Sequence, residues 1–383
     1  MDRRILVALF FLLGIGLVQV YSSSFIFATE VKGGGLYFFK KQALFTLVAM
    51  IVLFTTALIP WKAIEKWGYS IWWLAVFCLI GTFIPGVAHR AGGAARWIRL
   101  PGDFFFEPSE LLKIAFCLLT ATFLTRKSPW LGKFETPLKA ILLFGPLALL
   151  LKQPDFGTFV ICLMVGLMVL FVFGLRWRTI ALMAAIGAPV LAFLVLNSPY
   201  RRARLMTFLD PWSDPDQHGF QIIQSMLSFH SGGLTGVGLG QGQGKLFFLP
   251  EAHTDFTLAV LGEEMGFVGF IVVLLLYAYL VVRGLQIALN SENLFHRAVV
   301  IGLTSTFALS IFVNMGVVLG LLPTKGLTLP FLSYGGSSLV ATCFLFGILL
   351  NAERQTRDMV RSKQTSRSAR KATHWWKRKE TSS

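Results

Sequence analysis

LPEAHTDFTLAVLGEEMGFVGFIVVLLLYAYLVV, residues 249–282, decides the fold. After Asp255 the chain stays apolar for longer than a bilayer core is thick, interrupted only by Glu263 and Glu264. Such a run reads as a membrane-spanning helix over 255 to 282, and nine further runs of the same kind surround it. They lie near 5 to 22, 42 to 59, 69 to 85, 109 to 124, 137 to 151, 158 to 174, 178 to 196, 297 to 320 and 334 to 351. Of the 383 residues 55% are hydrophobic and only 14% charged, too few charges to cover a water-facing surface. The expected fold is an all-α integral membrane protein of about ten transmembrane helices, with a large extracytoplasmic loop, about 197–254, between helices 7 and 8. The run from Ile5 to Tyr21 lacks a small-residue cleavage pattern and is read as a retained helix, not a signal peptide. Cys78, Cys117, Cys162 and Cys343 all fall inside apolar segments, as packing residues do. Trp61, Trp67, Trp130 and Trp177 stand at segment ends, the places of interfacial anchors.

The net charge of +16 is unevenly distributed. Ten of the 35 lysines and arginines lie between Arg354 and Lys379, so the chain divides into a membrane domain, 1–353, and a basic tail, 354–383. Serine-rich, basic and poor in apolar residues, that tail reads as disordered and cytoplasmic, lying against anionic lipid and not binding nucleic acid. With the N-terminus inside, 21 basic residues fall on inner segments and 12 on outer ones, which places both termini in the cytoplasm. Without the tail the two sides are nearly equal, so the outer face is itself unusually basic.

The outer loop has two parts. YRRARLMTFLDPWSDPDQHGFQIIQSMLSF joins three arginines to an amphipathic stretch, Phe220, Ile223, Met226 and Leu227, suited to the membrane surface. HSGGLTGVGLGQGQGKLFFLPEAHTDF is glycine-rich without the spacing of a phosphate loop, and fits a flexible connection equally well. Asp255 ends it, and reads either as a cap of the following helix or as a carboxylate at the depth of a lipid-linked headgroup. Glu110 and Lys113, three residues apart inside a spanning helix, can neutralise each other, or Lys113 can reach Asp255 and hold it ionised. Helical geometry sets Glu263 near Asp255 and Glu264 on the opposite face. Three outer-side blocks join these residues. In Gly92-Gly93-Ala94-Ala95-Arg96-Trp97 the arginine can hold a diphosphate while the indole covers a sugar or lipid, or the pair is an interfacial anchor. Lys152-Gln153-Pro154-Asp155-Phe156-Gly157-Thr158 is a turn between two helices in which Asp155 can serve simply as the cap of the second. Pro323 to Ser338 carries prolines and glycines that suit backbone lining a cavity, not facing lipid.

Taken together, Arg96-Trp97, Pro108-Ser109-Glu110, Gln153 to Thr158, Leu249 to Phe256, Gly262 to Gly266 and Pro323 to Ser338 resemble the SEDS family of cell-wall polymerases. Thr324-Lys325 and Gly262 resemble its division branch more than its elongation branch. The resemblance implies a peptidoglycan glycosyltransferase that joins lipid II disaccharides outside the cytoplasmic (inner) membrane, at the division septum, and releases undecaprenyl diphosphate. It implies Asp255 as the general base, with Arg96, Trp97, Glu110, Lys113, Arg204, His253, Thr254, Glu263, Lys325 and Ser333 as substrate-binding residues. Inversion at the anomeric carbon needs one displacement and one base. A divalent cation, Mg or Mn, would assist so weak a base, and no organic cofactor is implied. The partners implied are a class B penicillin-binding protein transpeptidase and other divisome proteins. Two departures stand out: Glu107 where the family usually has glutamine, and His230-Ser231 where a glycine is common. A lipid II flippase and a non-catalytic scaffold for a division transpeptidase are the rival readings.

Overall fold

The computed structural model describes residues 2–91, 94–102, 104–125, 135–215 and 219–380, so Gly92, Gly93, Arg126, Lys127, Trp130 and Lys133 lie outside the described residues. The expected spans appear as helices α1 (Arg3–Lys32), α2 (Tyr37–Leu58), α3 (Trp61–Gly81), α4 (Pro108–Thr125), the broken pair α5 (Glu135–Phe144) and α6 (Leu147–Lys152), α7 (Phe156–Val172) and α8 (Trp177–Leu196). The loop then contributes α9 (Pro199–Leu209) and α10 (Phe220–Gly232), after which α11 (Thr257–Asn290), α12 (Leu294–Val318) and α13 (Gly336–Glu380) complete the bundle. Eight helices among the described residues are long and apolar enough to cross a membrane, and the shorter apolar stretches 141–152 and 156–172 lie between them.

The fifth span breaks where Gly145-Pro146 interrupts the apolar run, since proline removes a backbone donor and disfavours helix in the residue before it. The core is carried by α4 and α12, which bury most of their length, while α2 packs on α13 and α3 on α4. By contrast α8 stands at the bundle edge with no buried residue.

Three features differ from the sequence expectation. A small antiparallel sheet, β1 (Ala88–Ala91), β2 (Ala94–Leu100) and β3 (Phe104–Phe106), fills the connection between α3 and α4, where the apolar runs give no helical signal. Trp61 is not an interfacial anchor: it is 3% exposed and its ring lies 3.9 Å from that of His296. And α13 continues as helix through the basic tail to Glu380. That tail extends a helix already nucleated, and its glutamines, arginines, lysines and alanines all favour helix.

The glycine-rich loop has a structural use. Within α11, Gly266 adopts φ 65°, and the backbone groups freed by this kink are taken up by the loop: Val237 and Gly238 N–H donate to the carbonyls of Glu263 and Glu264 at 3.0 Å, and Phe267 N–H donates to Gly233 O at 2.9 Å. Gly236, at φ 81°, permits the approach, because a β-carbon there would meet Glu264 O at 2.2 Å. Likewise α10 does not lie free along the membrane surface; Gly232 backs directly onto the Gly262 carbonyl of α11 and lets the two helices touch.

Both glutamates of α11 clamp this loop. Glu263 accepts from Gln243 N–H at 2.7 Å and Gly244 N–H at 3.1 Å, while Glu264 pairs with Lys245 at 2.6 Å and accepts from Ser22 Oγ of α1. Both side chains of the Lys245–Glu264 pair are almost fully buried. Glu264→Ala is expected to cost about 3–5 kcal/mol by stranding the lysine charge, read as a lowered unfolding temperature in detergent.

Candidate active site

A cavity of about 400 Å³ opens where the sheet, the first turn of α4, α9 and two irregular segments meet. Arg96 and Trp97 reach it from β2, Glu110 from α4, Tyr200 and Arg204 from α9, and Glu251, Thr254 and Asp255 from the turn that precedes α11. A further wall is the non-helical segment 323–335, through Thr324 to Thr328, together with Tyr334 to Ser338. That segment satisfies its backbone inside protein, as irregular chain at membrane depth must. Tyr277 Oη donates to Pro330 O, Ser333 Oγ accepts from Leu329 N–H at 2.9 Å, and Gly16 of α1 leaves room for the Phe331 carbonyl.

Asp255 sits two residues before α11, in a turn whose Glu251 adopts φ 55°. Such left-handed backbone is strained for a non-glycine residue and is held here by Thr254 and Phe256 N–H, which both donate to Glu251 O. Asn314 of α12 ties this turn to the opposite wall, its amide donating to Asp255 O at 3.0 Å and to Leu327 O at 2.5 Å. Space beside the carboxylate depends on Gly326: a β-carbon there would lie 2.9 Å from Asp255 Oδ2 and 3.6 Å from Arg96 Nη1. Burial raises the Asp255 carboxyl to about 7; Glu251 adds to the rise, and Arg96 and Arg204 oppose it. A carboxylate with that balance is a stronger base than one in water.

The cations are held by their surroundings. Arg96 Nη2 donates to Pro154 O at 2.8 Å, and Arg204 Nη1 donates to Thr324 O at 2.7 Å while its guanidinium lies 4.6 Å from the Tyr200 ring centre. Lys325 Nζ lies 4.9 Å from the Phe156 ring centre and packs over Gly157. Burial, followed by repulsion from Arg96, Arg204 and Arg201, brings the Lys325 ammonium down to about 8, with Asp155 opposing. A second, largely apolar cavity of about 280 Å³, walled by Phe156, Val160, Ile161, Val195, Leu205 and Val313, shares Arg96, Arg204 and Lys325 with the first. The positive groups therefore stand between a chamber lined equally by polar and apolar atoms and a largely apolar one.

Arg96, Trp97, Glu110, Arg204, Thr254, Asp255 and Lys325 are thus brought together as the sequence suggests. Four others are not. Lys113 pairs with Glu110 at 2.9 Å, and the charges that act on Asp255 are Glu251, Arg96 and Arg204. An i,i+3 partner on the same helix is closer to hand than one across the bundle. Glu263 faces the glycine-rich loop, away from the cavity, and Ser333 caps its own turn. His253 packs its ring against Phe27 and Phe38, at 5.3 and 4.9 Å between centres, and burial lowers its basicity. Sequence reasoning missed Glu251, Tyr200 and Asn314 as parts of the site; a lone asparagine inside an apolar helix is a signal that could have found the last. Among the described residues no three His, Cys, Asp or Glu side chains gather as metal ligands would.

A family described as cell cycle proteins, comprising FtsW, RodA and SpoVE, matches residues 3–358. The chain belongs to this family. Similar FtsW/RodA/SpoVE proteins include a probable peptidoglycan glycosyltransferase FtsW of Geobacter sulfurreducens, 45% identical over 88% of this chain and 90% of that one. Stage V sporulation protein E of Bacillus subtilis is 38% identical over 93% of this chain and 98% of its own. Among solved structures, a chain from a peptidoglycan synthase complex that coordinates polymerization and crosslinking superimposes with a TM-score of 0.74 at 29% identity, covering 93% of this chain and 98% of that one. The Thermus thermophilus rod shape determining protein RodA gives 0.66 at 26% identity, covering 93% and 97%. Family membership and the ten apolar segments make this a multi-pass membrane protein.

Proposed function

We propose that the protein is a peptidoglycan glycosyltransferase that polymerises lipid II into glycan strands during septal wall synthesis, with Asp255 as its general base. The observation that carries this reading is the placement of the Asp255 carboxylate on the walls of the same cavity as three cations, Arg96, Arg204 and Lys325. The acceptor's 4-hydroxyl attacks the anomeric carbon of the donor as its proton passes to Asp255. The bond from that carbon to the diphosphate oxygen breaks, and its electron pair leaves on the diphosphate. One inversion results, without a covalent glycosyl-enzyme. Arg96, Arg204 and Lys325 stabilise the charge that grows on the leaving diphosphate, more strongly in the transition state than before it.

A lipid II substrate places the protein in the bacterial cytoplasmic membrane with the cavity facing outward, and the positive-inside pattern then keeps both termini in the cytoplasm. Its partner in this reading is a class B penicillin-binding protein transpeptidase, alongside other divisome proteins.

Purified protein with its cognate transpeptidase partner, supplied with labelled lipid II in vesicles, is expected to yield glycan strands. Transbilayer movement of lipid II without any strands would install the flippase reading instead. The rate is expected to climb as pH rises through about 7, because Asp255 accepts a proton only once it has lost its own. A pH–rate profile flat across that range would remove Asp255 as the base.

A further inference from the structure

The mechanism above uses Asp255 and gives no part to the other carboxyls of the same cavity, Glu107, Glu110 and Glu251. Glu107 joins β3 to α4 and lines the cavity wall. Its backbone N–H donates to Ser337 Oγ at 3.1 Å, Ser337 in turn donates to Phe105 O at 3.1 Å, and Ser109 Oγ donates to Glu107 Oε1 at 3.1 Å. The root of the side chain and one of its oxygens are thereby fixed, while Oε2 has no partner among the described residues. The charged groups around it come from every neighbouring element: Glu110 and Lys113 of α4, Asp155 at the start of α7, and, around the shared cavity, Arg96, Arg204, Glu251, Asp255 and Lys325, with the Tyr334 phenol. Burial pushes the Glu107 carboxyl up to about 8; Glu110 and Asp155 add to this, and Lys113 and the Ser109 hydroxyl oppose it.

An ionised Glu107 would set a further negative charge in a chamber that has to admit a diphosphate. A neutral carboxylic acid has the opposite value there, because its O–H can donate a hydrogen bond as an amide or hydroxyl does. We propose that Glu107 acts in its protonated form as a hydrogen-bond donor to an oxygen of the sugar substrate, an acetamido carbonyl or a hydroxyl, so that the cavity accepts its ligand only while this carboxyl keeps its proton. The proposal rests on the polymerase reading of the same cavity.

The test pairs two measurements on the full-length protein with its partner, polymerisation rate and infrared absorption, both followed from neutral to alkaline pH. Glu107 and Lys325 both titrate near 8, so the logarithm of the wild-type rate is expected to fall with a slope of about −2 per pH unit on the alkaline side. Glu107→Gln removes one ionisation and is expected to fall with a slope of about −1, whatever its plateau rate. The neutral-pH infrared spectrum is expected to contain a protonated-carboxyl band that Glu107→Gln lacks and that titrates with the same midpoint. Should Glu107→Gln fail to fold, Glu107→Met serves, expected to be slower by about tenfold and likewise short of one ionisation. An alkaline limb unchanged by either substitution, or no such band at neutral pH, would overturn the proposal. A preparation that makes no strands at all counts against the polymerase reading, and its infrared titration still decides whether Glu107 holds a proton.

Discussion

Asp255→Asn is expected to slow glycan polymerisation by about 10²- to 10⁴-fold, the usual worth of a positioned general base, while the protein remains folded. The two side chains have the same shape, and the hydrogen bond that anchors the turn runs from Asn314 to the backbone carbonyl of residue 255, which the substitution leaves in place. What is lost is the lone pair that receives the acceptor's proton. Because burial lifts Asp255 to about 7, the native carboxylate is a better base than an exposed one, so the loss belongs at the upper part of that range. Strand length on a gel after a fixed time, referred to folded protein measured by size-exclusion chromatography, checks it.

Lys325→Met is expected to cost about 10²- to 10³-fold in the same assay, comparable with removal of a charge-stabilising donor elsewhere. Lys325 lies on the wall shared by the two chambers, with its ammonium packed between Phe156 and Gly157. Methionine keeps the length and apolar contact of that side chain, so the loss reports charge and not packing. The effect is expected in turnover more than in the Michaelis constant, since the charge on the diphosphate grows as its bond breaks. Lys325→Arg is expected to recover part of the rate and to make the alkaline fall shallower, with the Glu107 ionisation left, because a guanidinium keeps its proton where this lysine does not.

The spans and the main site segments were legible because each is a boundary in one dimension. Asp255 stands where an outer loop turns apolar, Arg96-Trp97 stands between two apolar runs, and the prolines and glycines of 323–338 mark chain that cannot be helix. What was not legible depends on events that interrupt a period. Glu263 was placed near Asp255 by continuing a helix backwards, but α11 begins only at Thr257 and bends at Gly266, so both glutamates turn to the glycine-rich loop. His253 is adjacent to the site in sequence yet belongs to an aromatic cluster with Phe27 and Phe38, helix residues more than two hundred positions away. Local spacing did identify the Glu110–Lys113 pair, whose geometry is complete within one helix turn.

The measurement that tests the account most directly separates binding from chemistry in Asp255→Asn, using fluorescent lipid II, equilibrium binding and single-turnover strand formation with the partner transpeptidase present. The account predicts that the variant binds lipid II with undiminished affinity and converts almost none of it. Conversion of bound lipid II at the wild-type rate would contradict it.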